Sequence, residues 1–137
     1  MAAVRTRLRI ANVPREFTRH LDQVYAAARA GDVTLDGQNI FVYHGMTGDD
    51  TDVDFGVGTR ASFAPTGNVQ EALTPSGRAA TTTHWGSYSG LRDAHVAVKQ
   101  WCRANGEKLA GPHWEVYGHW TDDPTKLRTD VYWLLDT

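Results

Sequence analysis

Cysteine is almost missing: Cys102 stands alone in 137 residues. No disulfide can close within the chain, and no paired-cysteine zinc site can form. A surplus of basic charge is missing too. Fourteen lysines and arginines against sixteen acids leave a formal charge of -2 and a pI near 6.3. That removes the electrostatic footprint a phosphate backbone requires, so no direct nucleic-acid partner is expected. Long apolar runs are absent as well. Met1 to Leu8 interleaves arginines where a signal peptide would carry its apolar segment, and no later stretch is long enough to span a bilayer. The expectation is a soluble cytoplasmic chain with no membrane partner.

Motifs for metals and cofactors are equally scarce. His84, His95, His113 and His119 match no zinc-protease spacing, and His95 reads as a packed or surface residue of a helix. Asp50, Asp52 and Asp54 open like a calcium loop, but the glycine comes one position late at Gly56 and Ala61 occupies the place of the bidentate acid. In Gly86-Ser87-Tyr88-Ser89-Gly90 a tyrosine sits where a nucleophile elbow needs serine. Gly56-Val57-Gly58 lacks the third glycine of a dinucleotide site. No metal and no cofactor are expected.

What remains is a pattern of elements. Val4, Thr6, Leu8 and Ile10 alternate with arginines as in a half-buried strand. Thr18 is placed to cap a helix over about 19–30, which Gly31 stops, and Asn39 to His44 has strand bias. Asp52 to Phe63 reads as extended, with Gly56 and Gly58 marking a bulge or a close backbone approach. Two prolines and two glycines make 65–77 the one convincing linker. Beyond it the order returns: a strand over 78–85, then a helix over 89–105 with Leu91, Ala94, Val98 and Trp101 on one face. Gly106 stops that helix, and strands follow over 114–120 and 130–135.

The two halves superpose as sequences. Leu21 matches Leu91, Tyr43 matches Tyr117, and Asp54 matches Asp130, the drift being assigned to a longer second helix and a longer second hairpin. The fold expected is α+β: two strand-helix-strand-strand units with antiparallel sheets, related by a pseudo-twofold axis, with a ligand groove between them. The whole of 1–137 is read as a single domain, with halves at about 1–64 and 78–137. Under this overlay Glu115 falls where the first half has Phe41, so its charge is not needed to build the repeat. On strand alternation, Glu115 shares a face with His113, Tyr117 and His119. With Tyr117, Tyr88, Trp85 and Phe41 as aromatic walls, such a carboxylate would favour an organic cation.

These residues carry a family resemblance. Leu73-Thr74-Pro75-Ser76-Gly77, His84 through Leu91, Trp101, Gly106, and Gly111-Pro112 leading to Glu115 and Tyr117 resemble the GyrI-like small-molecule-binding family. Asp52-Val53-Asp54 is similar to the family's acidic strand, and the likeness runs from about Val4 to Leu135. Its members include effector-binding domains of AraC-type and multidrug-responsive regulators. The resemblance implies that the glutamate at Glu115 contacts lipophilic, often cationic small molecules, and the candidate ligand-binding set is Glu115, Tyr117, Tyr88, Trp85, Phe41, His84 and Asp54. Because the first strand begins almost at Met1, the expectation is a stand-alone module with no helix-turn-helix. An alternative uses the same pocket for catalysis, as some family members hydrolyse cyclopropane-bearing alkylating natural products. Glu115 would then be general acid and base, and Tyr88 or Tyr117 a hydrogen-bond donor to the departing oxygen. A protein partner, as in the gyrase inhibition of some relatives, has no docking surface marked in the sequence.

Overall fold

Arginines alternating with apolar residues produce β1 (Ala2–Arg9), and a single 3-10 turn then feeds α1 (Val13–Arg29). The helix begins six residues before the expected start at Arg19. Pro14 lies in its first turn, where a missing N–H costs nothing, so Thr18 is interior and caps nothing. Gly31, at φ +85°, ends it as expected. The chain continues through β2 (Leu35–Thr47), β3 (Asp50–Thr59) and a two-residue β4 (Gln70–Glu71) inside the stretch read as a linker. The second set is β5 (Ala79–Trp85), α2 (Leu91–Ala104), β6 (Leu109–Tyr117) and β7 (Arg128–Leu135).

The computed structural model describes residues 1–137 and divides into two compact units, Met1–Thr74 and Pro75–Thr137. The protein is mixed α+β, and the ladders within each unit are antiparallel. In the first unit the strand order is β4-β1-β3-β2, and in the second it is β6-β7-β5. The expected longer second helix is reversed, since α1 has 17 residues and α2 has 14. The second hairpin connection is the longer one, as expected, because β2 turns into β3 across Gly48 and Asp49 while β6 and β7 are joined by 118–127.

Register repeats between the units residue for residue. Phe41 pairs with Phe55, Val42 with Asp54 and Tyr43 with Val53. Glu115 pairs with Val131, Val116 with Asp130 and Tyr117 with Thr129. Gly56 and Gly58 are close-approach positions: a Cβ on Gly56 would lie 2.8 Å from the Met1 sulfur, and one on Gly58 would lie 2.9 Å from the Gly37 Cα.

In each unit the helix covers one face of its own sheet. Phe17 and His20 of α1 lie over Phe41 and Phe55, with ring centroids 5.7 and 5.2 Å apart. In the second unit Ala94, Val98 and Cys102 pack on Ala80, Val131, Trp133 and Leu135, with Leu91 at the margin. Trp101, expected in this stripe, is 51% exposed, and Cys102 takes its place because it points nearer the stripe's centre. Burial and the Glu107 carboxylate raise the Cys102 thiol, which keeps it protonated and inert.

Candidate functional site

Cross-strand partners share a face, so the ladder of the second unit assigns every side chain on it. His113 pairs with Trp133, Glu115 with Val131 and Tyr117 with Thr129. On the far side of β7, Ala80, Thr82 and His84 pair with Trp133, Val131 and Thr129. Since Val131, Trp133 and Ala80 lie under α2, Glu115 is on the covered face and is only 5% exposed. A solvated carboxylate is thereby excluded, and a buried one needs donors.

The donors come from both elements around it. His95 of α2 places Nε2 2.7 Å from Glu115 Oε2, and the Tyr117 hydroxyl donates to Oε1 at 2.6 Å. The Trp133 indole N–H donates to His95 Nδ1 at 3.0 Å. An indole can only donate, so Nδ1 must be the bare nitrogen of a neutral imidazole and Nε2 must carry the proton. His95 therefore donates to Glu115 without bringing a positive charge. Trp133, His95, Glu115 and Tyr117 thus form one continuous hydrogen-bonded chain.

Aromatic groups extend the cluster. The Tyr88 ring stands edge-on to Tyr117 at 5.5 Å. Its loop is held by His84, whose Nε2 donates to the Ser87 carbonyl at 2.8 Å and whose ring packs so closely on Gly90 that a Cβ there would lie 2.9 Å away. His113 stacks on Trp133 at 3.9 Å and lies edge-on to His95 at 5.5 Å. Burial lowers its pKa to about 4. The Lys99 ammonium sits 4.5 Å from the Trp133 ring centre.

Within the second unit the structure thus brings Glu115, Tyr117, Tyr88 and His84 together and turns Trp85 away from them. Trp85 follows His84 on β5 and points to the opposite face, where Arg128 lies 5.6 Å from its ring and the side chain is 60% exposed. Phe41 packs edge-on against Phe55 beneath α1. Asp54 lies on the face of the first sheet that α1 does not cover. Arg5 grips it through Nε at 2.7 Å and Nη2 at 2.9 Å, and His44 Nε2 lies 2.8 Å away. Burial pushes the Asp54 pKa up, but these bonds outweigh it and hold the carboxyl below its ordinary value. His95 and Trp133 were missed in the sequence. The available signal was spacing: Leu91, His95, Val98 and Cys102 form a helical stripe, which puts His95 on the sheet-facing side.

This architecture coincides with a family match, since the GyrI-like small molecule binding domain matches residues 24–136. The chain belongs to this family. Among solved structures, the GyrI-like domain is similar to the crystal structure of the EcmrR C-terminal domain, with a TM-score of 0.79 and 19% identity over 98% of this chain and 90% of that one. It is also similar to EcmrR in a cryo-EM complex with DNA, with a TM-score of 0.81 and 19% identity over 98% of this chain and 53% of that one. This domain therefore spans about half of that DNA-bound protein. At such identity the likeness speaks for the fold. A comparison with functionally curated proteins returns no match. No helix of the GyrI-like domain is long and apolar enough to cross a membrane.

Proposed function

We propose that this GyrI-like domain captures lipophilic organic cations, with Glu115 as the counter-charge and Tyr117 and Tyr88 as aromatic walls. The observation that carries this reading is the Trp133–His95 hydrogen bond, because it makes the imidazole beside Glu115 a neutral donor. Neutral donors such as these leave a carboxylate's negative field in place, and the adjoining phenol rings offer faces that attract a cation stripped of water. His84 contributes indirectly, by fixing the loop that presents Tyr88.

Tetraphenylphosphonium is a suitable probe, with a neutral aromatic of similar size as control. It should raise the Tm of the wild-type chain, and Glu115→Gln should weaken its binding at least tenfold, about 1.4 kcal/mol. Glutamine retains an acceptor for Tyr117, so the variant should still fold. Equal Tm shifts in both proteins, or an equal response to the neutral control, would remove the counter-charge role. A strained-ring hydrolase would use the same carboxylate to activate water. If mass spectrometry found a water adduct of a cyclopropane-bearing alkylator that disappeared in Glu115→Gln, capture would be only the first step of a reaction.

A further inference from the structure

β1 and β5 each have an outer side, and the chain finishes the two differently. β4 pairs with β1 at Ala2 and Ala3, and beyond it the strand carries the exposed Arg5, Arg7 and Arg9, a charged finish that discourages further pairing. β5 ends the order β6-β7-β5 and has β7 on one side only. From Ala79 to Trp85 it has no charge, no proline and no break in register. The phase of its ladder fixes what it presents. The Gly86 N–H donates to the Leu127 carbonyl and the Leu135 N–H to the Arg78 carbonyl, both at 2.9 Å. Hydrogen-bonded pairs recur every second residue in an antiparallel ladder, so Ala80, Thr82 and His84 turn their backbone groups toward β7. The N–H and C=O groups of Ala79, Thr81, Thr83 and Trp85 point outward, and none has a backbone partner in the chain.

Two exposed tryptophans flank this edge. Trp85, 60% exposed, lies on the sheet face that α2 leaves uncovered, and Trp101, 51% exposed, lies on α2 itself. His95 and Lys99 reach Glu115 of β6 and the Trp133 ring of β7, so their flank of the helix looks back across the sheet. Helical phase puts the uncharged Ala97, Trp101 and Ala104 on the opposite flank, which overhangs the open edge. α2 packs on Ala80 of β5 as well as on Val131 and Trp133 of β7, so it runs above the seam between these strands. A second strand laid against β5 at about 4.8 Å would bring a second α2 to about 10 Å, an ordinary distance for packed helices, and the alanines permit that approach. The β5 sequence also complements itself when reversed. In an antiparallel pair centred on Thr82 every outward backbone group finds a partner, with Ala79 facing Trp85 of the second copy and Thr81 facing Thr83. Ala80 then faces His84, so the two small residues at one end meet the two large ones at the other, and no like charges come opposite. Thr83 donates its hydroxyl to Asp130 at 2.7 Å, which leaves its oxygen to accept from Thr81 of the second copy.

We propose that two copies of this chain associate through β5, antiparallel and centred on Thr82, with Trp85 and Trp101 covering the joint from its two sides. Such a contact is isologous and closes as a twofold dimer. Sedimentation equilibrium on the full chain should give twice the mass of one chain at high concentration and a single-chain mass on dilution. Thr81→Pro deletes an outward N–H and sets a ring in the second strand's path while breaking no bond to β7, so it should raise the dimer Kd about a hundredfold with circular dichroism unchanged. Trp85→Ala, nearly neutral for the single chain, and Trp101→Ala should each raise it about tenfold. Register is tested by oxidation: Thr82→Cys lies opposite its own copy at a disulfide distance and should link two chains, whereas Thr83→Cys should stay unlinked. Both cysteine variants keep the outward backbone groups, so they decide the matter even where Thr81→Pro fails to fold. A single-chain mass at every concentration, with no link through Thr82→Cys, would overturn self-pairing and leave the edge to an extended segment of another protein. A dimer unchanged by Thr81→Pro, or linked through Thr83→Cys instead, would overturn the edge and its register. Glu115→Gln should leave every mass unchanged, so the dimer stands or falls apart from ligand capture.

Discussion

Asp54 and Glu115 are both buried carboxylates, on β3 and β6 of similar ladders, yet their donors differ in kind. Asp54, 1% exposed, is clasped by the permanently charged guanidinium of Arg5 with His44 alongside. Glu115, 5% exposed, accepts from a phenol and from an imidazole that Trp133 keeps neutral. The first arrangement is a bidentate ion pair, complete in itself and suited to holding β1 on β3. The second meets the carboxylate with a phenol and a neutral imidazole as donors. Burial alone therefore does not mark a functional carboxylate. Under the proposed function, the chemistry of its donors does.

The most disruptive way to break this contrast is Arg5→Ala, which strands Asp54 in the interior. It should lower unfolding stability by about 3 kcal/mol in urea denaturation, whereas Glu115→Gln, which leaves no buried charge, should cost well under half as much. If the two variants were equally destabilised, the proposed difference between the sites would fail.

Acid should separate His113 from Asp54 by pH window. The folded His113 pKa of about 4 lies below its unfolded value of about 6.5, so the unfolded chain binds the extra proton between them. Stability is present above that window and should fall by about 3 kcal/mol as pH drops through it, an effect that His113→Phe should flatten. Asp54, whose folded pKa is also depressed, should contribute its own loss only at lower pH, below the unfolded value of about 3.9. A stability curve flat between pH 6.5 and 4 in the wild type would contradict the placement of His113.

Trp133→Phe should cost about 1 kcal/mol through the lost hydrogen bond. Its sharper consequence is spectroscopic. In wild type the ¹⁵N shifts of His95 should show protonated Nε2 and bare Nδ1, and in the variant both tautomers should appear. Bare Nε2 in the wild type would undo the neutral-donor assignment. The smallest effect is expected at Trp85, whose contact with Arg128 is solvent-exposed: Trp85→Ala should change stability by about 0.5 kcal/mol or less.

The number and order of the main elements were legible from local pattern, because alternation, helical spacing and glycine stops act over a few residues. So was the placement of Glu115 and Tyr117 on one face of β6, which follows from the pleat alone. The start of α1 was misjudged because Pro14 reads as a breaker except in a first turn. Trp101 was put on the apolar face by its three-residue spacing from Val98, while the full helix phase favours Cys102. Tertiary structure decided what pattern could not. It covered the Glu115 face with α2, brought His95 from 20 residues away to one carboxylate oxygen, and set Trp133 against His95 so that its tautomer was fixed. Donors and charges that meet across strands and helices depend on register and packing. A one-dimensional chain could name the carboxylate, but only the folded one could say which proton it holds.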